Sequence, residues 1–234
     1  MRVAVIGGRG FFGTALSKAA HASLGFDVTV VTRQSYDAEV LNGGFDVVFN
    51  SAMPSGRFWA ETNPSDDFRE TVLKTFNVLT DFAPAKVVQI SSVSARCQLN
   101  KIYGRHKRAA EALVDDGRNL VVRLGPLYGE ELTKGVLIDL VNDKAVYVSG
   151  GSNYAFTPID WAAKTIIDSV SESGIIEVGA NGAVMLQDLA SALGSRSTFV
   201  GEYDHQVFAD SVGAPAANEV VAFAHALKAL GGQS

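Results

Sequence analysis

Strand-like apolar runs alternate with amphipathic stretches of helical spacing from the first residues onward. Runs dense in Val and Ile predict strands at Arg2–Ile6, Val28–Thr32, Asp46–Ser51, Lys86–Ser91 and Leu120–Leu124. Shorter strands are expected near Ala145–Val148 and Ile175–Val178. Near-continuous apolar strands of this kind are those covered on both faces. Helical spacing predicts helices at Phe12–Leu24, Asp66–Phe82, Tyr103–Asp115, Pro158–Ser171 and Leu186–Leu193. The tail carries a further helical stretch, Glu219–Leu230, rich in Ala, Val, Phe and Leu, to pack on the body or on another subunit. Alternation of strand and helix predicts parallel βαβ units and an α/β fold with a doubly wound sheet. No repeat or low-complexity segment interrupts it.

The first strand runs into Gly7-Gly8-Arg9-Gly10-Phe11-Phe12-Gly13 and then a helix. Gly8, Gly10 and Gly13 fit GxGxxG, and Gly7, Gly10 and Gly13 fit GxxGxxG. A glycine-rich turn between strand and helix lets backbone N–H groups and a helix N-terminus meet a pyrophosphate. A side chain at Gly13 would hold the helix off the sheet. The placement favours a dinucleotide site, built from Gly7 through Gly13, over a tight corner. It makes the sheet Rossmann-type. Only 13 residues separate Thr32 from Asp46, fewer than a full unit needs, so the usual third strand of a Rossmann half is expected to be short or missing.

At 234 residues the chain can bury a full core. A single Rossmann domain over 1–234 is expected, with small substrate-lobe segments at about 126–160 and 175–215. Apolar content of 47% and charged content of 19% argue against disorder. A net charge of −5 gives no support to nucleic-acid binding. One cysteine, Cys97, excludes an intramolecular disulfide framework, and no His or Cys spacing suggests a metal site. No basic segment followed by a signal-type apolar stretch opens the chain, and no apolar run approaches a membrane span. The expectation is a cytoplasmic protein with no membrane partner.

The second strand ends in Thr32-Arg33. An NAD site usually places Asp or Glu there to bind the ribose 2′-hydroxyl. A carboxylate would repel a 2′-phosphate, whereas a guanidinium grips one with forked hydrogen bonds. Arg33, with Arg9 nearby in the glycine turn, favours NADP(H) and leaves NAD(H) as the alternative.

The fourth strand runs into Ser91-Ser92-Val93-Ser94, and eleven residues after Ser92 comes Tyr103-Gly-Arg-His-Lys107. Tyr103 and Lys107 stand at i and i+4 and share a helix face. An ammonium beside a phenol stabilises the phenolate and is expected to lower its pKa toward the working range. A serine hydroxyl at the adjacent strand end can donate to a substrate oxygen.

These residues resemble the extended short-chain dehydrogenase/reductase family, the NAD(P)-dependent epimerase/dehydratase group acting on nucleotide sugars. Tyr103-Gly-Arg-His-Lys-Arg-Ala-Ala-Glu111 is similar to its YGRSKxxAE helix, and Arg123-Leu-Gly-Pro-Leu-Tyr-Gly129 to its RPxxxYG segment. Phe156-Thr-Pro-Ile-Asp160-Trp161 resembles FxHVxD, and Ile176-Glu-Val-Gly179 resembles YNVG. The matches span about residues 1–195. The resemblance implies Ser92, Tyr103 and Lys107 as catalytic residues, with Lys107 also holding the nicotinamide ribose. It implies cofactor contacts from Gly7, Gly8, Arg9, Gly10, Phe11, Phe12, Gly13, Thr32, Arg33, Ser51, Ala52, Met53 and Leu124. Two departures stand out. Thr71 occupies the place of the Asn in an NVxGT stretch. Val93 and Ser94 stand where sugar 4,6-dehydratases carry an Asp-Glu pair, which disfavours water elimination.

The resemblance implies an NADP-dependent reductase of a keto group on a nucleotide-linked sugar. An epimerase with tightly bound NAD(P) is the alternative within enzymes, and a non-catalytic NADP-sensing protein the alternative from another class. Arg57, Ser94, Arg96, Tyr128 and Phe156 are substrate-binding candidates. For Arg57 and Trp59 a surface loop is an equal reading, and for Tyr154 and Phe156 core packing is. Cys97 is read as inert packing and His106 as exposed helix. Arg105, Arg108 and Glu111 are read as a solvated face. Helices 66–82 and 103–115 are where a homodimer would pair.

Overall fold

The computed structural model describes residues 1–231. A six-stranded parallel sheet is ordered β2-β1-β3-β4-β5-β9. Its strands are β1 (Arg2–Ile6), β2 (Asp27–Val31), β3 (Val47–Asn50), β4 (Lys86–Ser92), β5 (Leu120–Leu124) and β9 (Gly174–Val178). Every pairing in it is parallel, with β1 against both β2 and β3 in a single register. The four residues of β3 are all buried, as are Val3 to Ile6 of β1. This is what unbroken Val and Ile runs require when helices cover both faces. Two helices, α1 (Phe11–Ala22) and α2 (Tyr36–Asn42), follow β1 and β2. Among the described residues β2 is an edge strand, with no third strand outside it.

Between β3 and β4 lie α3 (Arg57–Thr62), α4 (Pro64–Phe68), a π-helical turn at Arg69–Leu73, and α5 (Lys74–Asp81). Short α6 (Ser94–Cys97) and long α7 (Ile102–Val114) connect β4 to β5. One expectation is corrected here. The segment of Arg57 and Trp59 is helix, not loop. The helix expected from Asp66 to Phe82 is continuous and contains the π-helical turn; Thr71 and Thr75 on it are buried.

Contacts divide the chain into two compact units. The first holds the whole sheet, from Met1–Leu124 and Asp160–Val178, and includes most of α9 (Ile159–Asp168). Its core on one face packs Ile6, Val48, Val78 and Val87 with Phe45 and Phe82. The second unit comprises Gly125–Ile159 and the chain from Gly179. It carries strand pairs β6 (Leu127–Tyr128) with β8 (Thr157–Pro158), and β7 (Asn153–Tyr154) with β10 (Val184–Met185). Helices α8 (Val136–Val141), α10 (Leu186–Ala192) and α11 (Val220–Gly231) close around Leu137, Leu140, Tyr154, Phe156 and Leu186. The predicted strand near Ala145–Val148 is reduced to a single bridge, Val146 to Phe199. Too few residues there pair to build a ladder.

Candidate active site

Parallel strands put their C-terminal ends along one edge of the sheet, and the candidate residues of the first unit collect there. At the end of β1 the glycine turn closes on itself. Gly10 N–H donates to Gly7 O at 3.0 Å and Thr14 N–H to Gly10 O at 2.8 Å. No side chain caps α1 at Gly10, so its first N–H groups are available to an anion. The helix sits hard against the turn. A Cβ on Gly13 would lie 2.0 Å from Gly7 O. Among its neighbours Arg9 is exposed, and Phe11 and Phe12 are half-buried. This cradle fits the pyrophosphate of a dinucleotide.

The segment after β3 follows the same edge. Ala52 N–H donates to Asn50 Oδ1 at 3.3 Å, and the Met53 sulfur lies 3.1 Å from Gln89 Nε2. Thr32 is tied into the turn after β2 through Ser35 Oγ at 3.0 Å. Arg33 is highly exposed and pairs with Glu70 at 3.5 Å; Glu70 also holds Lys74. Leu124, at the end of β5, is buried.

Ser92 ends β4, and Tyr103 and Lys107 rise from the buried face of α7. A side-chain hydrogen bond links Ser92 to Tyr103. The Lys107 ammonium lies 5.1 Å from the centre of the Tyr103 ring. Helix α7 comes this close because Gly104 has no side chain: a Cβ there would lie 2.2 Å from Gln98 O and 2.7 Å from Ser94 O. Arg57 donates to Gln98 Oε1 at 3.5 Å, and Ser94 Oγ donates to the same oxygen at 2.6 Å. Arg57, Ser92, Ser94, Tyr103 and Lys107 thus gather around Gln98 and the end of β4.

The electrostatics correct one expectation. Burial pushes the Tyr103 phenol up to about 12, against lowering by the Ser92 hydrogen bond and the Arg57 charge. Burial also pushes Lys107 down to about 7. Lys107 therefore does not bring the phenol toward neutrality, because both groups are desolvated together. At neutral pH Tyr103 is a protonated phenol, the form that can give a proton to an oxygen.

Other candidates are placed differently. Arg96 forms a two-pronged pair with Glu177 at 2.8 and 3.0 Å. In the second unit, Tyr128 and Phe156 both lie in the apolar core. Cys97 is exposed, not packed inside. Glu111, read as solvated, is fully buried and accepts from Ser91 at 2.7 Å, Arg123 at 2.7 and 2.9 Å, and Arg108 at 3.2 Å. His106, read as exposed helix, sets its Nδ1 2.7 Å from the carboxylate of the fully buried Asp67.

Asp67 was missed in the sequence. The signal was its register: Asp67, Thr71, Thr75 and Val78 recur at the spacing of a buried helical face. Among the described residues no cluster of His, Cys, Asp or Glu is placed to hold a metal ion, and no helix is long and apolar enough to cross a membrane.

The sequence model of the NAD dependent epimerase/dehydratase family matches residues 3–143. No curated protein matches the chain. Solved structures do. One is a UDP-galactose 4-epimerase, at 22% identity and TM-score 0.77, covering 98% of this chain and 99% of that one. Another is MoeE5 in complex with UDP-glucose and NAD, at 19% identity and TM-score 0.78, covering 95% and 92%. A third is a dTDP-4-dehydrorhamnose reductase from Clostridium acetobutylicum, at 16% identity and TM-score 0.77, covering 97% and 100%. These likenesses are likenesses of fold.

Proposed function

Because the chain belongs to the NAD dependent epimerase/dehydratase family, we propose that it reduces a keto group on a nucleotide-linked sugar, with NADP(H) as the favoured cofactor. The observation that carries this reading is the convergence of Ser92, Tyr103 and Lys107 at the sheet edge that also holds the glycine cradle. When bound, the reduced nicotinamide supplies a hydride to the carbonyl carbon. Tyr103 gives its proton to the carbonyl oxygen. The high phenol pKa suits this direction, since the alkoxide formed is more basic than a phenolate. Ser92 orients the same oxygen through its hydroxyl. Lys107, when charged, stabilises the tyrosinate left behind, and it holds the ribose. The backbone of Gly7 to Gly13 binds the pyrophosphate, and Ser51, Ala52, Met53 and Leu124 line the rest of the dinucleotide. Arg57 and Ser94, both hydrogen-bonded to Gln98, would meet the substrate.

NADP(H) preference rests on Arg33 and Arg9. The guanidinium of Arg33 holds the Glu70 carboxylate, and a 2′-phosphate would take that carboxylate's place. The test is turnover of a panel of nucleoside diphosphate-linked ketohexoses with NADPH and NADH. Tyr103→Phe should abolish turnover and leave NADPH binding within a few fold. Substantial residual turnover in that variant sinks the assignment, and NADH binding as tight as NADPH sinks the cofactor preference. An epimerase would instead purify with bound cofactor and consume none.

A further inference from the structure

We propose that Asp67, anchored by His106, is the buried carboxylate that favours the ammonium form of Lys107 beside Tyr103, and so a positioning residue of the reaction. This rests on the reading of Tyr103 and Lys107 given above. The Asp67 carboxylate is fully buried, and His106 Nδ1 meets its Oδ2 at 2.7 Å. Its Oδ1 has no hydrogen-bond partner, nor does the buried Thr71 Oγ one helical turn on. A half-satisfied buried carboxylate is expensive, and an apolar side chain would serve packing better. What the carboxylate supplies is its charge. Among the groups that favour a charged Lys107, Asp67 acts most strongly and Glu111 next, while Lys74 acts against it.

The surrounding charges show why Asp67 matters. Glu111, on α7 itself, is already matched by Arg108 and Arg123. Lys74, from α5, is paired with Glu70 of the π-turn. Arg57 of α3 acts on Tyr103, lowering its pKa, and Asp67 raises it. Strand β4 contributes the uncharged Ser91 and Ser92. Among the described residues His106 alone forms an ion pair with Asp67. Donating from Nδ1, His106 holds the carboxylate in place. The His106 ring packs edge-on against Phe68 at 5.5 Å, next to Asp67 in the chain, which fixes its plane.

Removing the charge at Asp67 lowers the pKa of both Lys107 and Tyr103. The basic limb of the pH profile of kcat/KM for NADPH-dependent ketohexose reduction should therefore move to lower pH. In Asp67→Asn we expect a shift of about one unit or more. Asp67→Glu, which keeps the charge, should restore the wild-type limb. His106→Leu strips the carboxylate of its donor and should shift the limb in the same direction by less.

A direct reading comes from 13C NMR of lysine-labelled protein without substrate, with Lys107 assigned by the signal lost in Lys107→Met. Its titration midpoint should fall in Asp67→Asn and in His106→Leu. An unmoved midpoint in a folded variant, or a loss of kcat equal at every pH, overturns the inference. If the wild type reduces no ketohexose, the proposed function fails while the NMR titration still decides the role of Asp67. If Asp67→Asn does not fold, His106→Leu decides it alone.

Discussion

Gly13→Ala puts one carbon where the glycine cradle has no room. The added Cβ would lie 2.0 Å from Gly7 O, 2.8 Å from Gly7 C and 2.9 Å from Gly8 Cα. All three are backbone atoms, so no rotamer change relieves the clash. Real Cβ atoms essentially never come within 3.0 Å of such neighbours, so α1 must retreat from the turn by about 1 Å. Overpacking of this kind costs about 1–3 kcal/mol. For a chain of this size that is a Tm drop of roughly 2–12 °C. The same retreat withdraws the uncapped N–H groups of α1 from a bound pyrophosphate. Losing one charge-assisted hydrogen bond there is worth about 1.5–3 kcal/mol, roughly a ten- to hundredfold weaker Kd. Titration calorimetry with NADPH and NADH, beside thermal melts, reads both effects. A Gly13→Ala variant with unchanged Tm and a Kd within threefold of wild type would refute the placement of α1 and the cofactor site together.

Glu111→Ala removes a buried carboxylate from two guanidinia and should destabilise the fold by about 3–5 kcal/mol in urea. Arg108→Ala, at an exposed partner, should cost under about 1 kcal/mol; similar effects of the two would contradict the buried network. Lys107 titrates near 10.5 unfolded and about 7 folded, so between these values the unfolded chain binds the extra proton. Stability of wild type relative to Lys107→Met should therefore rise from pH 7 toward pH 10, and a flat difference across urea melts in that range counts against burial of the amine.

The parallel sheet was legible because β1, β3, β4 and β5 carry runs dense in Val and Ile, a pattern that leaves little else to form. That Ser92, Tyr103 and Lys107 lie together was legible because they stand at a strand end and at i,i+4 on the helix that follows. The π-turn at Arg69–Leu73 was not, since one extra residue per turn leaves the helical pattern on either side intact. On α7 the buried positions are Tyr103, Gly104, Lys107, Ala110, Glu111 and Val114. That is an ordinary helical face, yet Glu111 was assigned to solvent because it is charged. Its partners Arg123 and Ser91 come from two other strands, and local spacing carries no information about them. Asp67 and His106 were hidden in the same way, each unremarkable until the other is placed beside it.

Gly104 bears on how such a site could change over time. With Gln98 O and Ser94 O standing where a Cβ on Gly104 would lie, the segment after β4 packs directly on the head of α7. The segment 94–101, which opens with α6, carries Ser94, Arg96 and Gln98. Altering its length would carry Tyr103 with it. Diversity of substrate choice is therefore easier to obtain by exchanging side chains within a segment of constant length than by inserting or deleting residues there.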